Sequence, residues 1–349
     1  MRFLVLALVL LYSCANDAAP KPGAILVSDV FSEYVFSDTN KIKKPDGLCH
    51  NVIGVINPQT KYNENYIFDM SLYAFKVDTL PQVKFWRKVM NLHHDSSLLC
   101  LASNRNIIQK LANKDWNAKA DSIKKCYRDS IRISKNLDST HRILLTEGKK
   151  FFYDFDKTSQ NFHNGINCFV ENGVDPWYAQ AILLIESPNK LQKSNSGAYG
   201  PFQLMKDVAR LYGLKVNKQI DERANFERSA FAASSLIKKI CIPRVHKTLD
   251  SLGIKNYSET ELWFKLLVMH TYHAGAYNVE KALFSFMPKE GNMNLIYNLW
   301  QARTAHFKSA SQNYSQLILA AMLEMNERSK VVKKVNTLSA PTNRIQPHK

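Results

Sequence analysis

One segment constrains this chain more than any other: an apolar helix that runs into a single carboxylate. Asp175 is a good N-cap, Pro176 suits the first helical position, and Trp177 to Ile185 is almost wholly apolar. Such a helix calls for burial on every side, and Glu186 stands at its far end, followed by Ser187 and the helix-ending Pro188. A carboxyl group kept from water has its pKa raised, because desolvation disfavours the charged form. A Glu still protonated near neutral pH is what a general acid requires.

The residues that follow read as a loop over the helix end. Asn189 to Gly200 is polar, and Gly197 and Gly200 permit tight turning and close approach to a ligand. From Pro201 the pattern predicts a helix with Met205, Val208, Ala209 and Tyr212 on one face and Gly213 as the stop. Farther on, Ser258-x-x-Glu261 before Leu262-Trp263-Phe264 is a capping-box signature for a helix ending at Gly275.

These blocks carry a resemblance. Glu186-Ser187, a short gap, Gly197-Ala198-x-Gly200-x-x-Gln203-x-Met205 and the later Tyr272-His273-Ala274-Gly275 resemble the soluble lytic transglycosylase domain of lysozyme-like fold. Among its branches they are most similar to the membrane-bound murein transglycosylases. Asp221, Asn225 and a helix from Phe226 to Ile240 fit the family spacing, and the resemblance covers roughly residues 165 to 290. The chain departs from the pattern in three places. His273 stands where the family has Asn, Pro188-Asn189-Lys190 where it has an aromatic, and the gap before Gly197-Ala198 is one residue shorter.

The resemblance implies a mainly α protein whose helical catalytic domain cuts the MurNAc–GlcNAc β-1,4 bond of peptidoglycan without cofactor or metal. Most glycosidases use two carboxylates, and no second one stands near Glu186 at a motif-like position; Asp207 reads as solvent-facing. In the family one Glu suffices, because the muramic acid offers its own C6 hydroxyl and ends as a 1,6-anhydro ring. Glu186 would then act first as acid and later as base. Ser187 would orient the acid or bind substrate, Gln203 would face the groove, Tyr272 would hold the carboxylate or an acetamido group, and Tyr199 would stack on a sugar.

Each of these has a plainer reading. Glu186 reads also as a structural helix-end acid, Ser187 as a cap, Gln203 as solvated, Tyr272 as core, and Tyr199 and Phe202 as packing. Met205 reads as core or groove floor, and His273 as a satisfied structural histidine or a sugar ligand. Two rival functions follow: a lysozyme-type hydrolase using water, and a peptidoglycan-binding lipoprotein without activity.

The N-terminus gives an address. Arg2, the apolar run Phe3 to Leu11 and then Cys14 read as a lipoprotein-type signal over residues 1–13, with Cys14 lipidated. That predicts a periplasm-facing membrane lipoprotein, of the outer membrane, anchored without crossing; an ordinary secreted or soluble periplasmic protein is the alternative. The net charge of +17 then points away from nucleic acid and toward peptidoglycan carboxylates or an anionic membrane surface. No protein partner can be read from the residues.

Five cysteines follow Cys14, at Cys49, Cys100, Cys126, Cys168 and Cys241, without zinc-site spacing; Cys168 and Cys241 are read as a disulfide or as buried thiols. His93-His94 has no partner at ligand spacing. Residues 14–140 form an N-terminal region with short strands at Ala24–Val27 and Val52–Ile56, predicted helical from about Pro81 through Phe85-Trp86, Val89-Met90, Ile107-Ile108-Leu111 and Ile123. Residues 141–329 form the catalytic domain, with later helices at Val279–Met287, Leu295–Phe307 and Tyr314–Met325, and 330–349 reads as a basic disordered tail.

Overall fold

The computed structural model describes residues 52–56, 65–69, 71–159, 161–186, 191 and 193–338. Cys14, Cys49, Ser187 and the Ala24–Val27 segment lie outside them. The molecule is mostly helical, with a small mixed α/β part ahead of a helical, lysozyme-like body.

The described residues start with an antiparallel pair, β1 (Val52–Ile56) and β2 (Asn65–Asp69), in the register Val52↔Asp69 to Ile56↔Asn65. Helix α1 (Pro81–Asn91) begins with proline at its first position, where a missing N–H costs nothing, and buries Val83, Phe85, Trp86, Val89 and Met90. A three-stranded antiparallel sheet follows, with β3 (Ser96–Leu101) between β4 (Ile107–Ala112) and β5 (Ile143–Glu147). Helix α2 (Asp121–Ser134) covers it by packing Ile131 and Tyr127 on Leu99 and Ile143. Ile107-Ile108-Leu111 is therefore strand, not helix. Its spacing serves either period, and the partner that decides, β3, is held from its other side by β5, far along the chain.

The body contains α3 (Phe162–Glu171), α4 (Trp177–Ile185), α5 (Lys206–Leu211), α6 (Phe226–Leu236), α7 (Ile242–Ser251), α8 (Leu262–Ala274), α9 (Ala276–Phe284), α10 (Met293–Leu299) and α11 (Ser309–Leu338). Between α6 and α7 the residues Ile237–Cys241 form one wide π turn. Pro243, in the first turn of α7, offers no amide hydrogen to Lys239, which favours the wider winding there. Gly275, at φ 79°, ends α8 as expected.

Three predicted boundaries move. Residues 201–204 form a turn, so α5 starts only at Lys206 and Met205 precedes it, 44% exposed rather than core. Helix α10 ends at Leu299, well before Phe307, while α11 continues to Leu338 through residues expected to be disordered.

All nine residues of α4 are buried, against α3, α11 and β2. Its large apolar side chains each contribute about 1.5–3 kcal/mol. Asp175 accepts from the Trp177 amide at 2.9 Å, as an N-cap should, and pairs with the buried Lys265 of α8 at 2.8 Å. Removing either partner of such a buried pair costs about 3–5 kcal/mol. On the other side the buried Gln180 amide acts like an extra strand: it accepts from Ile67 N at 2.6 Å and donates to Ile67 O at 2.8 Å. Trp177 Nε1 adds a bond to Asp69 at 2.8 Å, so the N-terminal part is fastened to the helix that ends in Glu186. Among the described residues no helix is long and apolar enough to cross a membrane.

Candidate active site

Glu186 is the last residue on the ladder of α4, its amide donating to Ile182 O at 2.9 Å. The side chain is half-buried. Burial pushes its carboxyl up to about 7, against the opposing pull of a hydrogen bond from the Tyr314 hydroxyl to Oε1 at 2.7 Å. No second carboxylate among the described residues shifts it. Near neutral pH this group is divided between acid and base.

Three phenols surround the charge. Tyr153, Tyr272 and Tyr314 all have pKa values raised by burial first and by the nearby Glu186 second, so all three remain protonated donors. Tyr272, expected to hold the carboxylate or an acetamido group, donates to the Phe202 carbonyl at 2.6 Å and not to Glu186. The phenol on the carboxylate belongs to Tyr314 of α11, which no motif pointed to; the only signal was its place in an apolar helical pattern.

His273 stacks on Tyr314 with ring centroids 4.1 Å apart and planes at 20°. The residue is exposed, yet desolvation of the ring lowers its pKa to about 4, so it is neutral at pH 7. One turn back, His270 is buried and neutral, bonded through Nε2 to Ser315 Oγ at 2.8 Å. Trp300 Nε1 meets the same hydroxyl at 2.7 Å, which locks α8, α10 and α11 together beneath the acid.

The loop motif folds as a small hairpin in which Tyr199 and Leu204 exchange backbone hydrogen bonds of 3.1 Å. Gly200 sits at φ 87°, and a Cβ there would lie 1.8 Å from Arg223 O, so only glycine fits. Phe202 is fully buried and stacks on Phe169 at 5.7 Å, which makes it packing rather than a sugar platform. Gln203 is half-buried, holds a left-handed backbone at φ 46°, and donates its side-chain amide to Gly200 O at 3.0 Å. Tyr199 is half-buried with the Arg223 guanidinium 5.5 Å over its ring.

Arg223 is the pin of this hairpin and was not singled out by the sequence. It is buried, paired with Asp221 at 2.7 Å, and donates to the carbonyls of Gly197 and Leu204 at 2.8 and 2.9 Å. Asn225 caps α6 through the Arg228 amide at 2.9 Å. The predicted site residues thus divide into Glu186, Tyr272 and His273 gathered around Tyr314, and Tyr199 and Gln203 on a hairpin hung from α8 by the Phe202–Tyr272 bond. Exposed Asp207 is no second acid.

Cys168 and Cys241 are both free thiols, which removes the disulfide reading. Burial pushes the Cys241 thiol up to about 12, and Cys168 is raised by burial and by Glu171 and Glu227. Two cavities of about 510 and 600 Å³ do not have the acid in their lining, one bordered by Asn164, Asn167 and Glu227, the other by Lys84, Arg105 and Glu324.

No curated protein matches the chain. Residues 169–294, from the end of α3 into α10, match the family described as the transglycosylase SLT domain. That stretch holds Glu186, the hairpin and Tyr272-His273 together. This part of the chain is therefore similar to the transglycosylase SLT domain, consistent with a lysozyme-like lytic transglycosylase domain.

Proposed function

We propose that the chain is a lytic murein transglycosylase in which Glu186 alone serves as acid and base at the MurNAc–GlcNAc β-1,4 bond. The observation that carries this reading is the carboxyl raised to about 7, held by one phenol, with no second carboxylate acting on it among the described residues. In its protonated form Glu186 gives its proton to the glycosidic oxygen as the C1–O bond breaks. The muramoyl C1 is left as an oxocarbenium-like centre. The carboxylate then takes the proton of the C6 hydroxyl, O6 bonds to C1, and the 1,6-anhydro ring closes with Glu186 again protonated. No water is consumed, so no second carboxylate is needed to activate one.

In the same reading Tyr199, Gln203 and Tyr272 line the glycan path, Ser187 adjoins the acid, and His273 shapes the wall behind Tyr314. The apolar run Phe3 to Leu11 before Cys14 supports a lipid anchor that holds the enzyme on a periplasm-facing membrane. Loss of palmitate incorporation in Cys14→Ser is the expected check on the anchor.

Mass spectrometry of sacculi digested by the protein tests the chemistry, with Glu186→Gln as control. Anhydromuramoyl ends that vanish in the control are expected. Reducing muramic ends would identify a hydrolase, and intact glycan with retained binding would identify a binding protein.

A further inference from the structure

A groove of about 600 Å³ lies between α1, the β3–β4 turn and α11. Lys84 and Lys88, one turn apart on the exposed face of α1, line it and form no ion pair among the described residues. Arg87 also lines it, tied to Glu324 at 2.6 Å, and the same carboxylate takes the Asn91 amide at 2.8 Å. The groove's one carboxylate is therefore committed, and the remaining charge is positive.

Arg105 is its most unusual member. It is only 6% exposed yet holds a left-handed backbone at φ 61°, a conformation that costs free energy in any residue with a Cβ. Its guanidinium lies 5.4 Å over the Phe85 ring and 5.6 Å over Trp86. One N–H donates to Asn313 Oδ1 at 2.8 Å and another reaches the Cys100 sulfur at 3.8 Å. The rest of its planar fork has no partner among the described residues. A rigidly held fork with donors in reserve is suited to a carboxylate.

The groove also runs from the right place. Asn313, which holds Arg105, directly precedes Tyr314, which holds Glu186. The residues of α1 that line the groove run from Pro81 to Asn91, about 15 Å at about 1.5 Å per residue. An extended peptide advances about 3.3–3.6 Å per residue, so the groove matches about four or five residues.

We propose that this groove binds the carboxylate-bearing peptide side chain of peptidoglycan while its glycan lies against Glu186. The assignment rests on the transglycosylase reading. Lys84 and Lys88 steer the acidic peptide along α1, and Arg105 receives a carboxylate at the end nearest the acid.

The test uses the full chain and two soluble glycans, one bearing its acidic peptides and one stripped of them by an amidase. Lys84→Glu/Lys88→Glu, at exposed positions, should lower the ratio of kcat/KM on peptide-bearing over stripped glycan by about tenfold, chiefly through KM. An unchanged ratio would overturn the proposal. A second measurement does not depend on catalysis: the free acidic tetrapeptide is titrated into Glu186→Gln protein. Binding should weaken about tenfold with the lysine substitutions and about tenfold when the peptide carboxylates are amidated. Binding insensitive to both, or tighter binding of a glycerol-phosphate oligomer at the same lysines, would overturn it. If the parent protein cleaves neither glycan, the transglycosylase reading fails while this titration still decides what the groove binds.

Discussion

The stretch that matches the transglycosylase SLT domain and the chain on either side of it contribute differently to one site. The matched stretch brings Glu186, the Tyr199–Leu204 hairpin and Tyr272-His273. Burial raises the acid's pKa, and the flanks add two supports: Tyr314 on its oxygen, opposing that rise, from one side in sequence, and β2 clamped to α4 from the other. The lesson is that the family motif carries the candidate acid and the helix that ends in it, whereas the phenol that tempers the acid's raised pKa and the strand that clamps its helix come from outside the motif.

The strongest way to break that division is at the acid itself. Glu186→Gln should lower kcat/KM on sacculi by at least about 10³-fold while the protein stays folded, near the upper range for a general acid. Residual activity above a tenth of the parent's would remove Glu186 from the chemistry. Next comes the clamp from the N-terminal flank. Gln180→Leu strands the buried N–H and C=O of Ile67, each worth about 1–3 kcal/mol, so unfolding in denaturant should show about 3 kcal/mol lost. A loss under about 1 kcal/mol would mean that α4 stands without β2.

The acid's own burial gives the third effect, in stability. The folded carboxyl titrates at about 7 and the unfolded one near 4.5, so the folded protein binds more protons between these values. Its contribution to stability is therefore lost as pH rises from 4.5 to 7. At pH 8 Glu186→Gln should be more stable than the parent by about 3 kcal/mol, roughly 5 °C in Tm, a difference that disappears at pH 4. Equal melting at both pH values would show a carboxyl that is not desolvated.

Tyr314→Phe sharpens the comparison from the C-terminal flank. The phenol favours the ionised carboxyl, so its loss should move the alkaline limb of the kcat profile up by about one pH unit and reduce kcat about tenfold. The smallest effect is expected at His273→Asn. It restores the family residue and removes one ring stack, worth about 0.5–1.5 kcal/mol. A change in kcat/KM within about threefold would mark His273 as packing, and a larger loss would give it a part in binding.

Local pattern made α4 and Glu186 legible because an apolar helix announces its own burial. Gly275 was equally legible as a helix end, since it is a local device. Tyr314 was not, because a tyrosine in an apolar helix carries no mark of the carboxylate it meets in space. Arg223 was hidden for a similar reason: its partners are backbone carbonyls of a distant loop, which leave no trace in residue type. Strand β4 was misread because its period was ambiguous until β3 was in place. The start of α5 was misread because the Tyr199–Leu204 bridge holds the intervening residues in a turn.

The bond between Tyr314 and Glu186 also orders events in time. The acid leaves the ribosome 128 residues before the phenol that holds it. At about 5–20 residues per second that interval is roughly 6–25 s. Throughout it the growing chain carries its motif without α11, which supplies the one phenol bonded to the acid among the described residues, so the candidate site is completed late in synthesis. A chain stopped at residue 308 lacks all of α11 and should accordingly leave sacculi uncut, and lysis by such a fragment would show that the acid works without the helix that covers it.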